Sequence, residues 1–321
     1  MRAIWQPQEL TPRTWCPLCS APASGRILAY RWDSLGIRRC DVCRLLFVDP
    51  FPSEKALQLC YEPSYFQGGK TTSRFGPNKD YFAAEAAGDA SGYIEITSRF
   101  DLRGKAVLEI GCATGALLHR LRSEEPARLV GIDISDAAVS FGRSNYGLDL
   151  RFTTLENARF SESEFDLILM IDVIEHVLDP AAFFAEAVRC LRSGGAVLLR
   201  TPNADSYDAS GSRWTYLHCG LEHVQYLSNR TLNWLATGQG MIPEETWSEG
   251  CPSLLPYDRF HRSRLVRLVR EPRTILANAF YRYRWKMRTL PLRGLGADLF
   301  AVLRKATCEL PAAAAEYPEL S

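Results

Sequence analysis

The stretch Val107-Leu-Glu-Ile-Gly-Cys-Ala-Thr-Gly115 decides the fold. Four apolar residues, Ala106, Val107, Leu108 and Ile110, surround one acid, Glu109, as in a buried parallel strand. A tight loop follows, and the spacing predicts a helix starting near Gly115. Gly111 and Gly115 carry no Cβ, so the backbone can turn sharply there and approach a ligand closely. The unpaired N–H groups of the helix start point at whatever binds in the loop. The next strand, Leu129-Val-Gly-Ile-Asp133, ends in an acid 18 residues after Gly115, where a ribose diol would need an acceptor. A dinucleotide oxidoreductase is the rival for such a unit. It wants Gly-x-Gly-x-x-Gly opening the helix, a spacing that Gly111-Cys-Ala-Thr-Gly115 lacks.

Outward from this unit, strand and helix signals alternate. Ser135 caps a helix to Tyr146, and a short strand follows at Leu150 to Thr153. Phe165-Asp-Leu-Ile-Leu-Met-Ile171 is a continuous apolar run, expected for a central parallel strand. Asp179 and Pro180 open another helix as N-cap and first residue, with apolar positions 183, 184, 187, 188 and 191 on one face. Ser193-Gly-Gly195 is read as its stop, Ala196 to Leu199 as the next strand, and Asp298 to Arg304 as the last. The pattern implies an α/β fold, a Rossmann-like seven-stranded doubly wound sheet with ligands at the carboxyl ends of its strands.

The N-terminal part has a different signature. Cys16-Pro-Leu-Cys19 and Cys40-Asp-Val-Cys43 are two Cys-x-x-Cys knuckles separated by 20 residues, with a strand-like segment from Arg26 to Arg39 between them. Two such tips can place four thiolates around Zn²⁺, and four thiolates close the shell, so the ion would be structural. The alternatives are four unrelated thiols or two short disulfides. Cys60, Cys112, Cys190, Cys219, Cys251 and Cys308 are scattered, as for reduced thiols in a cytoplasmic chain. Met1 to Trp15 has no apolar leader core, and no run approaches the roughly 18 apolar residues of a membrane span. With 46% apolar and 23% charged residues and a net charge of +1, the 321-residue chain reads as globular, without a global attraction to nucleic acid.

The glycine loop and the acid at Asp133 resemble the first two motifs of the class I S-adenosylmethionine-dependent methyltransferases. The family loop reads acid-x-Gly-x-Gly-x-Gly, and here Ala113 stands at the middle glycine, a mild change if that residue keeps a negative φ. The resemblance implies donor contacts from Glu109, Gly111, Ala113, Gly115, Asp133, Ile134, Thr154, Leu155 and Ile171. Thr154 stands where the family's usual acid is absent. The last strand is expected to run antiparallel. Cys43-Arg-Leu-Leu-Phe-Val-Asp-Pro-Phe-Pro-Ser, then Tyr61 to Tyr65, resembles the zinc-ribbon extension before many bacterial methyltransferase domains of glycan and natural-product pathways. The resemblance covers about residues 14 to 70 and resumes through 306. The implied organisation is a zinc-ribbon module at 14–66, a linker and capping helix at 67–100, a methyltransferase domain at 101–306 with a basic helical insertion at 254–293, and a tail at 307–321.

Methyl transfer from a sulfonium needs in-line positioning and a route for the acceptor's proton. Two loops offer the groups: Asp172-Val-Ile-Glu175-His176 and Leu221-Glu-His223-Val-Gln-Tyr-Leu-Ser228. Acid-x-x-Glu-His with a later lone His resembles metal-dependent O-methyltransferases acting on ubiquinone precursors and on small-RNA ribose. That resemblance implies that Asp172, Glu175, His176 and His223 hold Mg²⁺ or a similar ion beside the acceptor oxygen. A metal-free general-base role for His223 and a purely structural role for the pair are the other readings. His119 and His261 read as surface residues, and His218, Trp214 and Tyr216 as either acceptor lining or core.

Arg259 to Arg293 holds ten arginines and one lysine against a single acid, Glu271. This arm could lie on anionic lipid, hold the phosphates of a nucleotide-linked sugar or RNA, or simply be a solvated helix. The expectation is a cytoplasmic methyltransferase with a small-molecule or glycan-precursor acceptor, methylated on oxygen, with peripheral membrane contact through the arm as an option and nucleic acid disfavoured. An RNA methyltransferase gripping RNA through its zinc module is one alternative. A non-catalytic subunit that binds S-adenosylmethionine is another.

Overall fold

In the long central strands alternate residues face opposite apolar layers, and this alternation builds the molecule. The computed structural model describes residues 5–31, 33–60, 97–211, 214–217, 222–249 and 298–307. In the N-terminal part, β1 (Leu10–Thr11) will pair with β5, while β2 (Ile27–Tyr30), β3 (Gly36–Arg39) and β4 (Leu46–Asp49) form an antiparallel meander. β5 (Phe51–Pro52) closes on β1, and a helix follows at Glu54–Cys60. The strand-like segment between the two knuckles is therefore the β2–β3 hairpin.

The remaining strands are β6 (Ala106–Ile110), β7 (Arg128–Asp133), β8 (Asp149–Phe152), β9 (Phe165–Ile171), β10 (Leu191–Pro202), β11 (Gln225–Tyr226), β12 (Met241–Glu249) and β13 (Asp298–Lys305). Seven of them form one sheet in the order β12-β13-β10-β9-β6-β7-β8. β8, β7, β6, β9 and β10 are parallel, whereas β13 runs antiparallel to both β10 and β12. The chain runs outward from β6 through β7 to β8, then returns to β9 on the other side of β6. Connections therefore diverge at the carboxyl ends of β6 and β9, where such sheets bind ligands. This is the expected Rossmann-like sheet.

One face of the sheet presents Leu108, Ile168, Met170, Val197, Leu199 and Ala301, and the other Val107, Leu167, Leu169, Ala196, Leu198 and Val302. The second face is covered by Leu117, Leu118 and Leu121 of the helix Ala116–Leu121 and by Val139 of the helix Asp136–Tyr146. The first face packs against the helices Pro180–Cys190 and Asn229–Gly238. It also takes Cys16, Leu18, Cys40, Cys43, Leu45 and Phe47, so the N-terminal module helps to complete this core.

Helix starts follow local chemistry. The Ser135 hydroxyl accepts from the Ala138 N–H, and the Asp179 carboxylate from the Ala182 N–H. Two elements differ from the sequence expectation, and one strand was not expected at all. The helix from Pro180 ends at Cys190, and β10 begins at Leu191, so Ser193-Gly-Gly195 is an irregularity inside a strand rather than a helix stop. The short strand lies at Asp149–Phe152, one residue earlier than expected. β12 carried no strand signal: beyond Met241 its residues are half-exposed or exposed, as befits an edge strand.

Residues 67–96 of the expected linker and capping helix (67–100), the basic arm within 254–293, His218, His261 and residues 308–321 lie outside the described residues. Among the described residues, no helix is long and apolar enough to cross a membrane.

Candidate active site

The glycine loop lies where β6 meets the helix Ala116–Leu121. Gly111 and Gly115 both have left-handed backbones, with φ of 72° and 76°. A Cβ at Gly111 would stand 2.5 Å from Val173 Cγ2, and one at Gly115 would meet Leu150 and Leu148 at 2.9–3.1 Å. The loop also crosses the next helix closely, since a Cβ at Gly142 would fall 1.9 Å from the Thr114 carbonyl. The expectation that Ala113 keeps a negative φ fails: it stands at 47°. Its N–H donates to Asp133 Oδ2 at 2.8 Å, and this bond holds the residue in the left-handed region despite its Cβ.

Asp133 Oδ1 accepts in turn from the Ser135 N–H at 2.8 Å. Burial raises the pKa of this acid, and the N–H groups of Ala113, Ser135 and Ile134 oppose the shift. Each carboxylate oxygen keeps lone-pair capacity for a further donor. Glu109 is buried on β6, Ile134 is exposed after β7, and Ile171 ends β9 half-buried. Thr154 caps the short helix Leu155–Ala158, accepting from the Asn157 N–H, with Leu155 buried behind it. A left-handed glycine turn packed too tightly for a Cβ, beside an acid fixed at the next strand end, fits the sulfonium nucleoside implied by the motif.

Val173 carries the chain from this cradle to the second group of residues. Glu175 and His176 lie on the turn Ile174–His176 just past β9, and His223 lies just before β11. The Val224 N–H donates to the Glu175 carbonyl at 2.9 Å, and Gln225 Nε2 to the Ile174 carbonyl at 2.8 Å, so the two loops are stitched together. One ligand-type atom from each of Glu175, His176 and His223 lies within 4.8 Å of the others. The imidazoles meet edge to face at 4.7 Å between centroids. His176 Nδ1 stands 3.4 Å from the Glu222 carbonyl, which can only accept, so this nitrogen is the donor of the contact.

Glu175 is fully buried, and its Oε2 accepts from the Thr201 hydroxyl at 2.9 Å, while Oε1 has no hydrogen-bond partner among the described residues. Burial, reinforced by the charge of Asp172, pushes its carboxyl up to about 8 against the pull of Arg200 and Thr201.

Asp172 does not join the cluster. It takes a left-handed backbone (φ 55°) and pairs with Arg200, which also reaches Asp298 at 2.6 Å. The implied four-residue set thus reduces to three, because a buried arginine on β10 claims the fourth. Arg200 carries a sequence signal of its own, a charge directly after the apolar run Ala196–Leu199. Of the other histidines, His119 is exposed and stacks on Tyr146. Trp214 is core: it packs edge to face on Tyr207, Tyr216 and Tyr226, and its indole N–H donates to Ser206.

The four N-terminal cysteines converge. One sulfur from each lies within 4.8 Å of the others, with Cys16–Cys43 and Cys19–Cys40 at 3.5 Å. Ligands on a tetrahedron of 2.3 Å bonds stand about 3.8 Å apart, so the donor set fits Zn²⁺. The two knuckles fold alike. Ser20 and Arg44 donate back to the carbonyls of Cys16 and Cys40, and both take left-handed backbones. The Cys43 thiol holds Cys16 down to about 5, while burial pushes Cys19 up to about 11.

The methyltransferase-domain family matches residues 82–241. Residues 82–241 belong to the class I S-adenosylmethionine-dependent methyltransferases. Similar proteins include the ubiquinone biosynthesis O-methyltransferase of Hahella chejuensis, 35% identical over 114 residues, covering 34% of this chain and 48% of that protein. The enzyme of the same name from a Ruegeria species is 30% identical over 129 residues, covering 39% and 51%. The chain thus spans about half the length of these curated relatives. A chain of the Haloferax volcanii complex between the Trm112 methyltransferase activator and a methyltransferase superposes with a TM-score of 0.51 at 15% identity, over 72% of this chain and 96% of that one. That likeness shows the fold.

Proposed function

We propose that this chain transfers a methyl group from S-adenosylmethionine to an oxygen of a small hydroxylated acceptor, a free metabolite or a glycan precursor. One observation carries the reading: Val173 packs over Gly111, so the donor cradle directly adjoins the Glu175, His176 and His223 cluster. Oxygen as the acceptor atom is supported by relatives named as O-methyltransferases. Gly111, Ala113, Gly115 and Asp133 hold the donor and set the in-line geometry. His223 receives the acceptor's proton, and the edge-to-face His176 ring holds its orientation.

The cluster's donor set supports a second reading, a bound divalent ion. One carboxylate with an unpartnered oxygen and two imidazoles suit a transition ion better than Mg²⁺, which prefers oxygen ligands. Glu175, His176 and His223 would hold it, and it would supply Lewis-acid polarisation of the acceptor hydroxyl. The test is transfer of labelled methyl groups to a panel of catechols, phenols and sugar hydroxyls, by the native chain and by His223→Ala. The expected result is transfer that falls by about 10²-fold or more in the variant. Equal rates would remove His223 from the reaction.

A further inference from the structure

We infer that Arg31 is a positioning residue of the transfer site, through which the N-terminal module sets the acceptor-side histidine pair. This rests on the reading of His223 just given. The four-stranded sheet of the N-terminal module has the order β11-β4-β3-β2, so its outermost strand comes from the methyltransferase domain, two residues after His223. Gln225 and Tyr226 pair with Phe47 and Leu46, and the Val48 N–H donates to the Val224 carbonyl at 2.9 Å. β4 serves both sides of the chain. Leu45 and Phe47 enter the main core, while Leu46 and Val48 pack with Val224, Tyr226 and Trp214.

Arg31 comes from the end of β2 and is buried to its side-chain tip, as is its partner Asp33. Nε and Nη2 form a fork onto the Asp33 carboxylate, which Trp5 Nε1 holds from behind at 3.0 Å. The other arm of the guanidinium, Nη1, donates to the backbone carbonyl of His223 and stands 3.4 Å from the Tyr226 hydroxyl. The His223 carbonyl and the Val224 N–H belong to one peptide plane. That plane is pinned at both edges, by Arg31 on the carbonyl and by the Glu175 carbonyl on the N–H. Fixing it restrains ψ of His223 and hence the direction of the Cα–Cβ bond that carries its ring toward His176. A buried charge is costly where packing alone is needed. A planar fork that bridges a carboxylate and a carbonyl gives an orientation that lysine or an apolar residue cannot reproduce.

The test uses the full chain with Arg31→Lys and Arg31→Met, read by ¹⁵N spectra of the histidine rings, backbone hydrogen exchange and calorimetric titration with S-adenosylhomocysteine. In Arg31→Met the donor product should bind as in the native chain. The His223 ring signals should shift or broaden, and the amides of 223–227 should exchange about tenfold faster. Arg31→Lys, which keeps the charge but loses the fork, should show the same changes in smaller degree. If Arg31→Met does not fold, Arg31→Lys decides alone. Native ring signals and native exchange in a variant that still binds the donor product would overturn the assignment. Full methyl transfer by His223→Ala would instead remove the underlying reading of the site, and would leave the ring response to Arg31 as it is.

Discussion

Among the described residues two clusters of metal-ligand side chains occur, and they are built on opposite plans. The cysteine cluster uses four sulfurs of one kind, on two knuckles that repeat the same backbone bonds, and it leaves no position for a substrate. The cluster at Glu175, His176 and His223 mixes one oxygen acid with two imidazoles, on two loops far apart in sequence, and it keeps an unpartnered carboxylate oxygen. The first is a closed fastener inside a hydrophobic core. The second is an open set of groups at the strand ends, next to the glycine loop at Gly111. The contrast teaches that one chain can build a closed all-sulfur set and an open mixed set and tie them together through β4, β11 and Arg31.

The largest expected effect breaks the first cluster. Cys43→Ser should lose bound zinc, measured by atomic spectroscopy, and lower the urea-unfolding free energy by about 3 kcal/mol or more, since structural zinc binding is itself folding energy. Cys16, Cys40 and Cys43 sit in the same core as the sheet, so the loss should reach the whole fold. Unchanged zinc content and stability would dissolve the contrast.

A smaller effect sharpens the second cluster. The Glu175 carboxyl is pushed above its usual range, to about 8. A raised folded pKa favours the protonated native state. The stability it contributes is therefore fully present below the unfolded value near 4.5 and is lost as pH rises through about 8. Glu175→Gln mimics the neutral form at every pH. In chelator-treated protein, the native chain should lose stability relative to Glu175→Gln between about pH 5 and pH 8.5, by on the order of 1 kcal/mol or more. Parallel pH profiles of the two urea midpoints would show that Glu175 is not buried in this way.

What was legible in the sequence was local. The glycine loop, Asp133, the caps at Ser135 and Asp179 and the paired knuckles each announce themselves within a few residues. What was hidden depends on partners distant in the chain. Ala113 turns left-handed because its N–H meets Asp133, 20 residues away. Asp172 leaves the acid–histidine set because Arg200 on β10 claims it. β11 is two residues long and exists only because β4 offers it an edge. β12 has polar residues at most positions, since an edge strand buries little. Glu175, His176 and His223 were nameable from sequence, but the peptide clamp on His223 was not, because Arg31 lies in another module.

The account stands on the donor cradle. Titrating S-adenosylhomocysteine into the folded, zinc-loaded chain by calorimetry should give saturable one-to-one heat, lost when Gly111→Val fills the cradle against Val173. No heat from the folded native chain would contradict it.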